Sequence, residues 1–291
     1  MKKSLIAVVG PTGSGKTKRA IELSQSQSSI LISADSRQVY RGMDIVTGKD
    51  HPRDVSLYGI DLLDPDQSSS VSFWYSAIMP HLKSAWEDDK LVIVVGGTGL
   101  YVKALTAGIP TLNVPINQSL RDELSSLTTS QLQAMLQKLN PEKIASMNHS
   151  DINNARRLIR AIEISKDPAY LNQSVNLLNP LNLDLPEVKI IGYKYANQKV
   201  QREKIYQRVL ARIELGAIEE TKMLLKSYDS SLQSMSAIGY KSITSFLNGD
   251  LSSDKMIEEW VSDEMAYVKR QLTWFNKMNV EWLEADQSNS P

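Results

Sequence analysis

Short apolar runs alternate with amphipathic stretches along the first hundred residues of the chain. Continuous apolar runs rich in β-branched residues are typical of strands that are buried on both faces of a parallel sheet. The predicted strands are residues 5–9, 30–34, 58–63 and 91–95. Apolar positions at helical spacing predict helices over residues 18–24, 70–87 and 100–105. Strands that alternate with helices indicate an α/β fold built on a parallel sheet.

A different pattern fills residues 110–186, where helical stretches follow one another with no strand between them. This part is predicted to hold helices at 120–139 and 151–165 and a connector at 172–186, rich in Asn and Leu. Beyond it we predict a strand at 188–193, helices at 198–227, 238–248 and 253–276, and a last strand at 280–283. We therefore predict an α/β catalytic core from residues 1–112 and 188–291, with an inserted helical domain at 113–187.

Composition narrows the class of protein. The 291 residues are 42% hydrophobic and 23% charged, which is ordinary for a globular enzyme, and no apolar run approaches 18 residues. We therefore expect a cytoplasmic protein with no membrane span. The absence of cysteine excludes disulfides, thiolate metal sites and a cysteine nucleophile. Because 33 basic residues balance 33 acidic ones, a nucleic-acid surface has to come from local clusters of charge.

A glycine-rich loop follows the first predicted strand and precedes the first predicted helix. It consists of Gly10, Pro11, Thr12, Gly13, Ser14, Gly15, Lys16 and Thr17, and it matches the phosphate-binding loop (P-loop) pattern G-x-x-x-x-G-K-[ST]. In that setting backbone N–H groups point into one concavity at a helix N-terminus, which favours anions. Lys16 can then reach the terminal phosphates, and the Thr17 hydroxyl can hold Mg²⁺. The alternative is a turn that only joins strand to helix.

Two further groups stand at the same predicted edge of the sheet. Asp35 follows the second strand, where a carboxylate can bind magnesium, orient a substrate or accept a proton. A helix N-cap is the alternative for this residue. A second glycine-rich turn at 96–99 follows the strand at 91–95, and it makes the Thr98 hydroxyl available to a phosphate oxygen.

Basic residues form three separate clusters. Lys204, Arg208 and Arg212 recur every four positions beside an apolar stripe of Ile205, Val209 and Ile213. This basic stripe is either a solvated helix face or a source of positive charge for the phosphate pocket. The other two clusters are Arg156, Arg157 and Arg160 in the inserted domain, and Lys269 and Arg270 close to Trp274 and Phe275. Together they fit the path of a nucleic-acid backbone.

Several motifs together resemble the tRNA dimethylallyltransferase family, also called tRNA isopentenyltransferases, nearly from end to end. The motifs are residues 10–17, 33–45 (Ser-Ala-Asp-Ser-Arg-Gln-Val-Tyr-Arg-Gly-Met-Asp-Ile), 95–101, 156–163, 237–241 and 269–275. The resemblance is to the bacterial form, because no cysteine-containing zinc finger is present. It implies a P-loop NTPase-like core.

The resemblance implies transfer of a dimethylallyl group from dimethylallyl diphosphate to N6 of the adenine at tRNA position 37, next to the anticodon. It implies that Asp35 is the general base or hydrogen-bond acceptor for that amine. Lys16 and Arg208 look like diphosphate ligands in a nucleotide- and diphosphate-binding loop, with Thr98 as a further contact and Thr17 as a ligand of Mg²⁺. The expected partner is the tRNA anticodon stem-loop, bound by a monomer.

The resemblance also implies four segments that contact tRNA. They are Asp35, Ser36, Arg37 and Gln38; Arg156, Arg157, Leu158, Ile159 and Arg160; Ser236, Ala237, Ile238, Gly239, Tyr240 and Lys241; and Lys269, Arg270, Gln271, Leu272, Thr273, Trp274, Phe275 and Asn276. Asn276 departs from the arginine that is common in the family, which removes one expected tRNA contact.

Two other activities use the same phosphate loop. A prenyltransferase acting on free adenine nucleotides would keep the loop and Asp35 but would not need the inserted helices or the basic segments. A small-molecule kinase would transfer the phosphate itself.

Overall fold

The computed structural model describes residues 4–49, 52, 55–168 and 187–285. The chain divides into two compact units, Met1–Ala107 with Asp184–Pro291, and Gly108–Leu183. The predicted connector at 172–186 lies outside the described residues. Each unit is described by itself below.

A parallel sheet forms the centre of the first unit. Its strands, within the described residues, are β1 (Ser4–Val9), β2 (Ser29–Ser33), β3 (Leu57–Tyr58), β4 (Leu91–Gly96), β5 (Glu187–Lys194) and β6 (Glu281–Glu284). They lie in the order β3-β2-β4-β1-β5-β6, and every neighbouring pair is parallel. The α/β class predicted from the sequence is confirmed. Because the carboxyl ends of parallel strands share one edge, the loops after β1, β2 and β4 meet there.

The helices that the structure describes lie on this sheet or form the second unit. They are α1 (Lys16–Ser24), α2 (Val71–Glu87), α3 (Gly99–Thr106), α4 (Gln118–Ser125), α5 (Thr129–Leu139), α6 (Pro141–Ala145), α7 (His149–Ile152), α8 (Ala155–Lys166), α9 (Gln198–Glu214), α10 (Ala217–Ser227), α11 (Tyr240–Leu247) and α12 (Ser253–Phe275). A short 3₁₀ helix spans Ser234–Ser236. Among these, α12 is the longest, and neither it nor any other combines the length and apolarity needed to cross a bilayer.

The sheet is buried because its central strands are apolar throughout. Every residue of β4 is buried, as the run without alternation predicted. One part of this core packs β1, β2 and β4 against α1, and its buried members are Val8, Ala20, Leu31, Leu91, Ile93 and Val95. The packing fixes the loop that joins β1 to α1.

The strand predicted at 58–63 is wrong in its length. Only Leu57 and Tyr58 pair with β2. Beyond them the chain turns through Asp61, whose φ of 53° is left-handed, and Asp61 is held there by the Lys49 ammonium group at 2.5 Å. A bridge from Leu63 to Tyr40 follows. The strand itself ends at Gly59, which follows Tyr58 directly and has a left-handed φ of 86°.

Three predicted helices are each divided in two. The span 120–139 breaks before Thr128, whose side chain forms a reciprocal capping box with Gln131 and starts α5. The span 151–165 breaks at Asn154, which caps α8. The span 198–227 breaks at Gly216, where φ is 103°.

The second unit packs α4 to α8 around its own apolar core. The buried residues of this core are Leu124, Leu132, Leu136, Ile144, Leu158, Ala161 and Ile162. Beside it, the buried carboxylate of Glu163 accepts hydrogen bonds from Arg121, Arg160 and the Asn117 N–H. Burial alone would raise the pKa of Glu163, but these hydrogen bonds lower it.

Candidate functional site

A cavity of about 710 Å³ opens at the carboxyl edge of the sheet in the first unit. Most of its lining comes from the P-loop and the start of α1, residues 35–38 and 46–48, one face of α9, and residues of α12 with the 236–238 segment. Residues of β2, β3 and β4, with Tyr195 after β5, complete it. Parallel strands place their following loops at one edge, which is the usual ligand site of open α/β sheets. The cavity is therefore the candidate site.

The P-loop has the strand and helix on either side that its motif requires. Thr12 to Thr17 line the cavity, while Gly10 and Pro11 are buried and do not line it. Gly13 and Gly15 have φ values of 77° and 76°, which turn the backbone at the start of α1. Ser14 Oγ is buried with no hydrogen-bond partner among the described residues. A buried unpaired hydroxyl beside a helix N-terminus suits an anion that would accept its proton.

Polar side chains from distant parts of the chain hold this loop in place. The Thr12 N–H donates to Gln271 Oε1 at 3.0 Å, and Gln271 Nε2 donates to the Gly97 carbonyl at 3.1 Å. Gln201 Nε2 donates to the Thr12 carbonyl at 2.9 Å. Tyr195 donates its hydroxyl proton to the Gly13 carbonyl at 3.1 Å. Sequence reasoning missed Gln201 and Tyr195, since no local pattern marks a side chain that supports a loop from elsewhere.

Asp35 lies half-buried on the cavity wall at the end of β2. Its Oδ1 accepts the Arg37 N–H at 2.9 Å, a turn that orients the carboxylate. The alternative reading as a helix N-cap is wrong, because residues 36–39 form bends and turns and no helix starts there. The carboxylate is left facing the cavity.

The Thr98 hydroxyl makes contacts other than the expected one. Thr98 is not among the residues that line the cavity. Its Oγ1 accepts the Ser36 N–H at 3.0 Å and donates to Ser36 Oγ at 3.3 Å. In this structure Thr98 therefore holds the segment after Asp35, and its availability to a phosphate oxygen stays a prediction.

Tyr267 on α12 lines the cavity and was not found by sequence reasoning. Burial, assisted by the negative charge of Asp35, raises the pKa of Tyr267 to about 12. Its hydroxyl is therefore protonated at neutral pH. The cavity consequently holds a neutral hydroxyl beside the carboxylate.

The predicted basic stripe on α9 faces the cavity, so the reading as a solvated face is wrong. Lys204, Arg208 and Arg212 all line the cavity. Arg212 is buried and forms an ion pair with Glu264 on α12, with Nη1 and Oε1 3.2 Å apart. Burial and the neighbouring charge of Arg208 lower the pKa of Arg212 to about 10, against the effect of Glu264. Glu264 was missed because its partner lies 52 positions away.

Both arginines pack against one glycine. A Cβ at Gly48 would lie 2.3 Å from Arg208 Nη2 and 2.2 Å from Arg212 Nη2, and Gly48 has φ +63°. A side chain at this position would push the guanidinium groups aside, and its positive φ would be strained in a residue other than glycine. Arg208 Nε is buried without a hydrogen-bond partner among the described residues. Two adjacent cations and an unused donor make this wall suitable for a polyanion.

Several members of the predicted tRNA segments are buried in this structure. Their side chains or backbones lie within the protein, and they are Leu158, Ala237, Gly239, Tyr240, Gln271 and Phe275. Arg160 also points inward, since it donates to the Thr111 and Val114 carbonyls and to Glu163. Gln38 bonds to Ser33 and to the Gly48 carbonyl. The resemblance implied these segments as whole stretches and did not separate their inner from their outer faces.

Other members of the same segments are exposed. They are Arg156, Arg157, Ser236, Lys241, Lys269, Arg270, Thr273, Trp274 and Asn276. Ser36, Arg37, Ile159, Ile238 and Leu272 are half-buried. The exposed set is basic and aromatic, the composition that RNA-binding surfaces share. Contact with RNA by these residues stays a prediction.

Fold and site together define the class of protein: an α/β protein on a parallel sheet whose P-loop motif shares a cavity with a carboxylate and two arginines. A family model described as IPP transferase matches residues 38–278, and one described as isopentenyl transferase matches residues 3–61. The chain belongs to the IPP transferase family. The resemblance indicated by the motifs is confirmed.

Relatives of this family match the chain over almost its full length. The tRNA dimethylallyltransferase of Acetivibrio thermocellus is 34% identical, over 99% of this chain and 93% of the relative. The crystal structure of the full-length tRNA isopentenylpyrophosphate transferase from Bacillus halodurans has a TM-score of 0.69 at 34% identity, over 99% of this chain and 92% of that one. A eukaryotic dimethylallyltransferase described as acting on tRNA has a TM-score of 0.79 at 22% identity, over 98% and 74%, and shows the fold alone.

Proposed function

We propose that this chain transfers a dimethylallyl group from dimethylallyl diphosphate to N6 of the adenine at tRNA position 37. The observation that carries this proposal is the shared cavity, which puts the Asp35 carboxylate and the cationic P-loop wall in one enclosure. A carboxylate and an anion cradle are the two groups that this substitution needs. The names of the relatives at 34% identity support the same reaction.

The leaving group is the diphosphate. In the reaction the bond between the allylic carbon and the diphosphate oxygen breaks, and that electron pair stays on the diphosphate. Lys16, Arg208 and the P-loop N–H groups would bind the diphosphate and stabilise its growing charge. A fixed array of donors works well here because it needs no reorganisation when the charge develops.

The nucleophile is the exocyclic amine of the adenine. As the new bond forms between N6 and the allylic carbon, the amine has to lose one proton. Asp35 would accept that proton, and its bond from the Arg37 N–H holds the carboxylate in place. The neutral Tyr267 hydroxyl lines the same cavity and does not compete for the proton.

Magnesium would assist at the diphosphate. The donors present fit a hard cation, because the Thr17 hydroxyl and the Asp35 carboxylate line one cavity. The described residues contain no cluster of three His, Asp or Glu side chains, so the ion would take most of its ligands from the diphosphate and water. When bound, Mg²⁺ supplies positive charge to the leaving group. Thr17 is the residue that would hold it.

The tRNA anticodon stem-loop is the proposed partner. Its target adenine is stacked in the loop and has to be extruded before N6 can enter a cavity. Exposed basic and aromatic side chains such as Arg270 and Trp274 would hold the loop during that step. In the second unit, the exposed side chains of Arg156 and Arg157 would add contacts to phosphates. We propose that the protein acts as a monomer.

One experiment separates this function from its rivals. The chain is incubated with dimethylallyl diphosphate labelled in the prenyl group, with an unmodified tRNA transcript or with AMP, ADP or ATP as the acceptor. A parallel reaction supplies ATP labelled at its γ-phosphate. We expect prenyl label in tRNA alone, and none in a matched transcript with guanine at position 37. Label in free nucleotides would support nucleotide prenylation, and transfer of labelled phosphate would support a kinase.

A further inference from the structure

One carboxylate, that of Glu220 on α10, holds two separate walls of the cavity. Its Oε2 accepts the N–H groups of Asp44 at 2.8 Å and Ile45 at 2.6 Å. Its Oε1 accepts the Val46 N–H at 3.0 Å and the Tyr240 hydroxyl at 2.7 Å. Hydrogen bonds to an ionised acceptor are about twice as strong as neutral ones. Four of them on one side chain make a rigid junction.

The two segments joined by Glu220 also touch each other. A Cβ at Gly239 would lie 2.7 Å from Val46 Cγ1 and 2.6 Å from Trp260 Cε2, and the φ of Gly239 is +102°. The side chains of Val46 and Trp260 therefore pack directly on this backbone. Tyr240, which follows, is fully buried, so its hydroxyl reaches Glu220 from within the protein.

The first of these segments forms the wall at the anion end of the cavity. Val46, Thr47 and Gly48 line the cavity, and Gly48 lies against the guanidinium groups of Arg208 and Arg212. The bonds from Glu220 to the N–H groups of residues 44–46 therefore fix the backbone on which both arginines rest.

The second segment forms the wall near Asp35. Ser236, Ala237 and Ile238 line the cavity. The same segment is tied to the loop that follows Asp35, because Arg37 Nη1 donates to the Gln233 carbonyl at 2.7 Å. Tyr240 lies at the far end of this segment, where its hydroxyl is bound by Glu220.

We propose that Glu220 is a positioning residue that sets the spacing between the diphosphate end and the acceptor end of the cavity. The proposal rests on the proposed function for the roles of Arg208 and Asp35. In this proposal, the hydrogen bonds from the N–H groups of residues 44–46 to Glu220 fix the wall at the diphosphate end. The hydrogen bond from the Tyr240 hydroxyl to Glu220 fixes the wall at the acceptor end. Tyr240 thus acts through Glu220 and does not touch RNA.

Two variants separate the halves of the junction. Tyr240→Phe removes one hydroxyl and keeps the buried ring, so it releases only the wall near Asp35. We expect the KM for tRNA to rise about tenfold, the order carried by one hydrogen bond to a charged group, and the KM for dimethylallyl diphosphate to stay unchanged. Glu220→Gln disturbs both walls, so both KM values should rise. The matched control is Glu219→Gln, an exposed neighbour on the same helix, which should match the wild type.

A double-variant cycle tests whether the two side chains act through one bond. If they do, Tyr240→Phe adds nothing to the KM for tRNA once Glu220→Gln is present. Additive effects would overturn the proposal. So would a lower apparent kcat with both KM values unchanged, together with a lower melting temperature, because a purely structural role lowers only the amount of active enzyme.

Amide hydrogen exchange tests the junction without any reaction. Glu220→Gln should speed exchange at residues 44–46, and Tyr240→Phe should speed it at residues 236–240. If the wild type transfers no prenyl group, the proposed function is wrong but the role of Glu220 can still be tested. The Kd for inorganic diphosphate is then measured instead of the KM, and we expect this Kd to rise in Glu220→Gln and not in Tyr240→Phe. Unchanged exchange and unchanged affinity in Glu220→Gln would overturn the inference.

Discussion

Arg212 Nη1 lies 3.2 Å from Glu264 Oε1, and both side chains are more than nine-tenths buried at the cavity wall. The pair lets two arginines stand side by side, since Arg208 repels Arg212 and Glu264 attracts it. Arg208 and Arg212 would therefore need no rearrangement when a polyanion binds at this wall. Preorganised charge of this kind is the main source of transition-state stabilisation in many enzymes.

Glu264→Gln should destabilise the protein strongly. The substitution leaves the Arg212 guanidinium buried without its counter-charge, which typically costs about 3–5 kcal/mol. Urea unfolding measures the loss of unfolding free energy. The control Glu259→Gln removes an exposed carboxylate from the same helix and should change it by less than about 0.5 kcal/mol. A Glu264→Gln protein as stable as this control would show that the pair contributes nothing.

Asp35→Asn should abolish turnover and leave binding intact. The amide keeps an oxygen that can accept the Arg37 N–H, so the loop keeps its shape, but it cannot take a proton at neutral pH. We expect single-turnover transfer to fall about 10²–10⁴-fold. Filter binding of tRNA should be close to wild type, as it should be in the exposed control Asp66→Asn. Weak tRNA binding with normal single-turnover chemistry would contradict the role of Asp35 as the base.

Arg208→Ala should slow the chemical step and weaken donor binding. Removal of one donor to a developing charge commonly lowers the rate about 10²–10³-fold. Single-turnover rates and the Kd for inorganic diphosphate measure the two effects. Arg202→Ala, an exposed position on the same helix, serves as the control. A higher Kd for diphosphate with an unchanged single-turnover rate would show that Arg208 contributes to donor binding and not to the chemical step.

The sequence predicts the parts of this site that depend on local pattern. The P-loop and Asp35 were found because a strand, a turn and a fixed residue type stand together in the chain. Parallel strands then bring these loops to one edge, whatever the details of packing.

Side chains that act across long separations were not predictable in the same way. Glu220 holds backbone about 175 positions away, and Gln271 bonds to a loop 259 positions away. The basic stripe on α9 is a similar case. Its spacing predicts that the three side chains share one face of a helix, but only the packing of the whole chain determines whether that face contacts solvent or the cavity. Capping residues such as Thr128 and Asn154 are visible in the sequence. Treating them as helix starts predicts that the long helical stretches divide there.

Alkaline pH should destabilise the folded protein through its buried tyrosines. Burial raises the pKa of Tyr101 and of Tyr267 to about 12, from the usual 10. The unfolded chain therefore loses these protons first, so the stability they contribute is complete below pH 10 and is lost as the pH rises through 12. Arg212 acts in the opposite direction, because its pKa of about 10 lies below its usual 12.5 and the folded state loses that proton first.

At least two tyrosines lower the free energy of unfolding as the pH rises, and one arginine raises it. We therefore expect the free energy of unfolding to fall between pH 10 and 12. One unit of pKa difference corresponds to about 1.4 kcal/mol, so Tyr267 contributes about 2–3 kcal/mol of this fall. Urea midpoints measured at half-unit steps of pH test it. Tyr267→Phe should show a shallower fall than the wild type, whereas Tyr206→Phe, at an exposed position, should follow the wild type. Equal slopes in the two variants would show that the Tyr267 hydroxyl is not held in its protonated form by the fold.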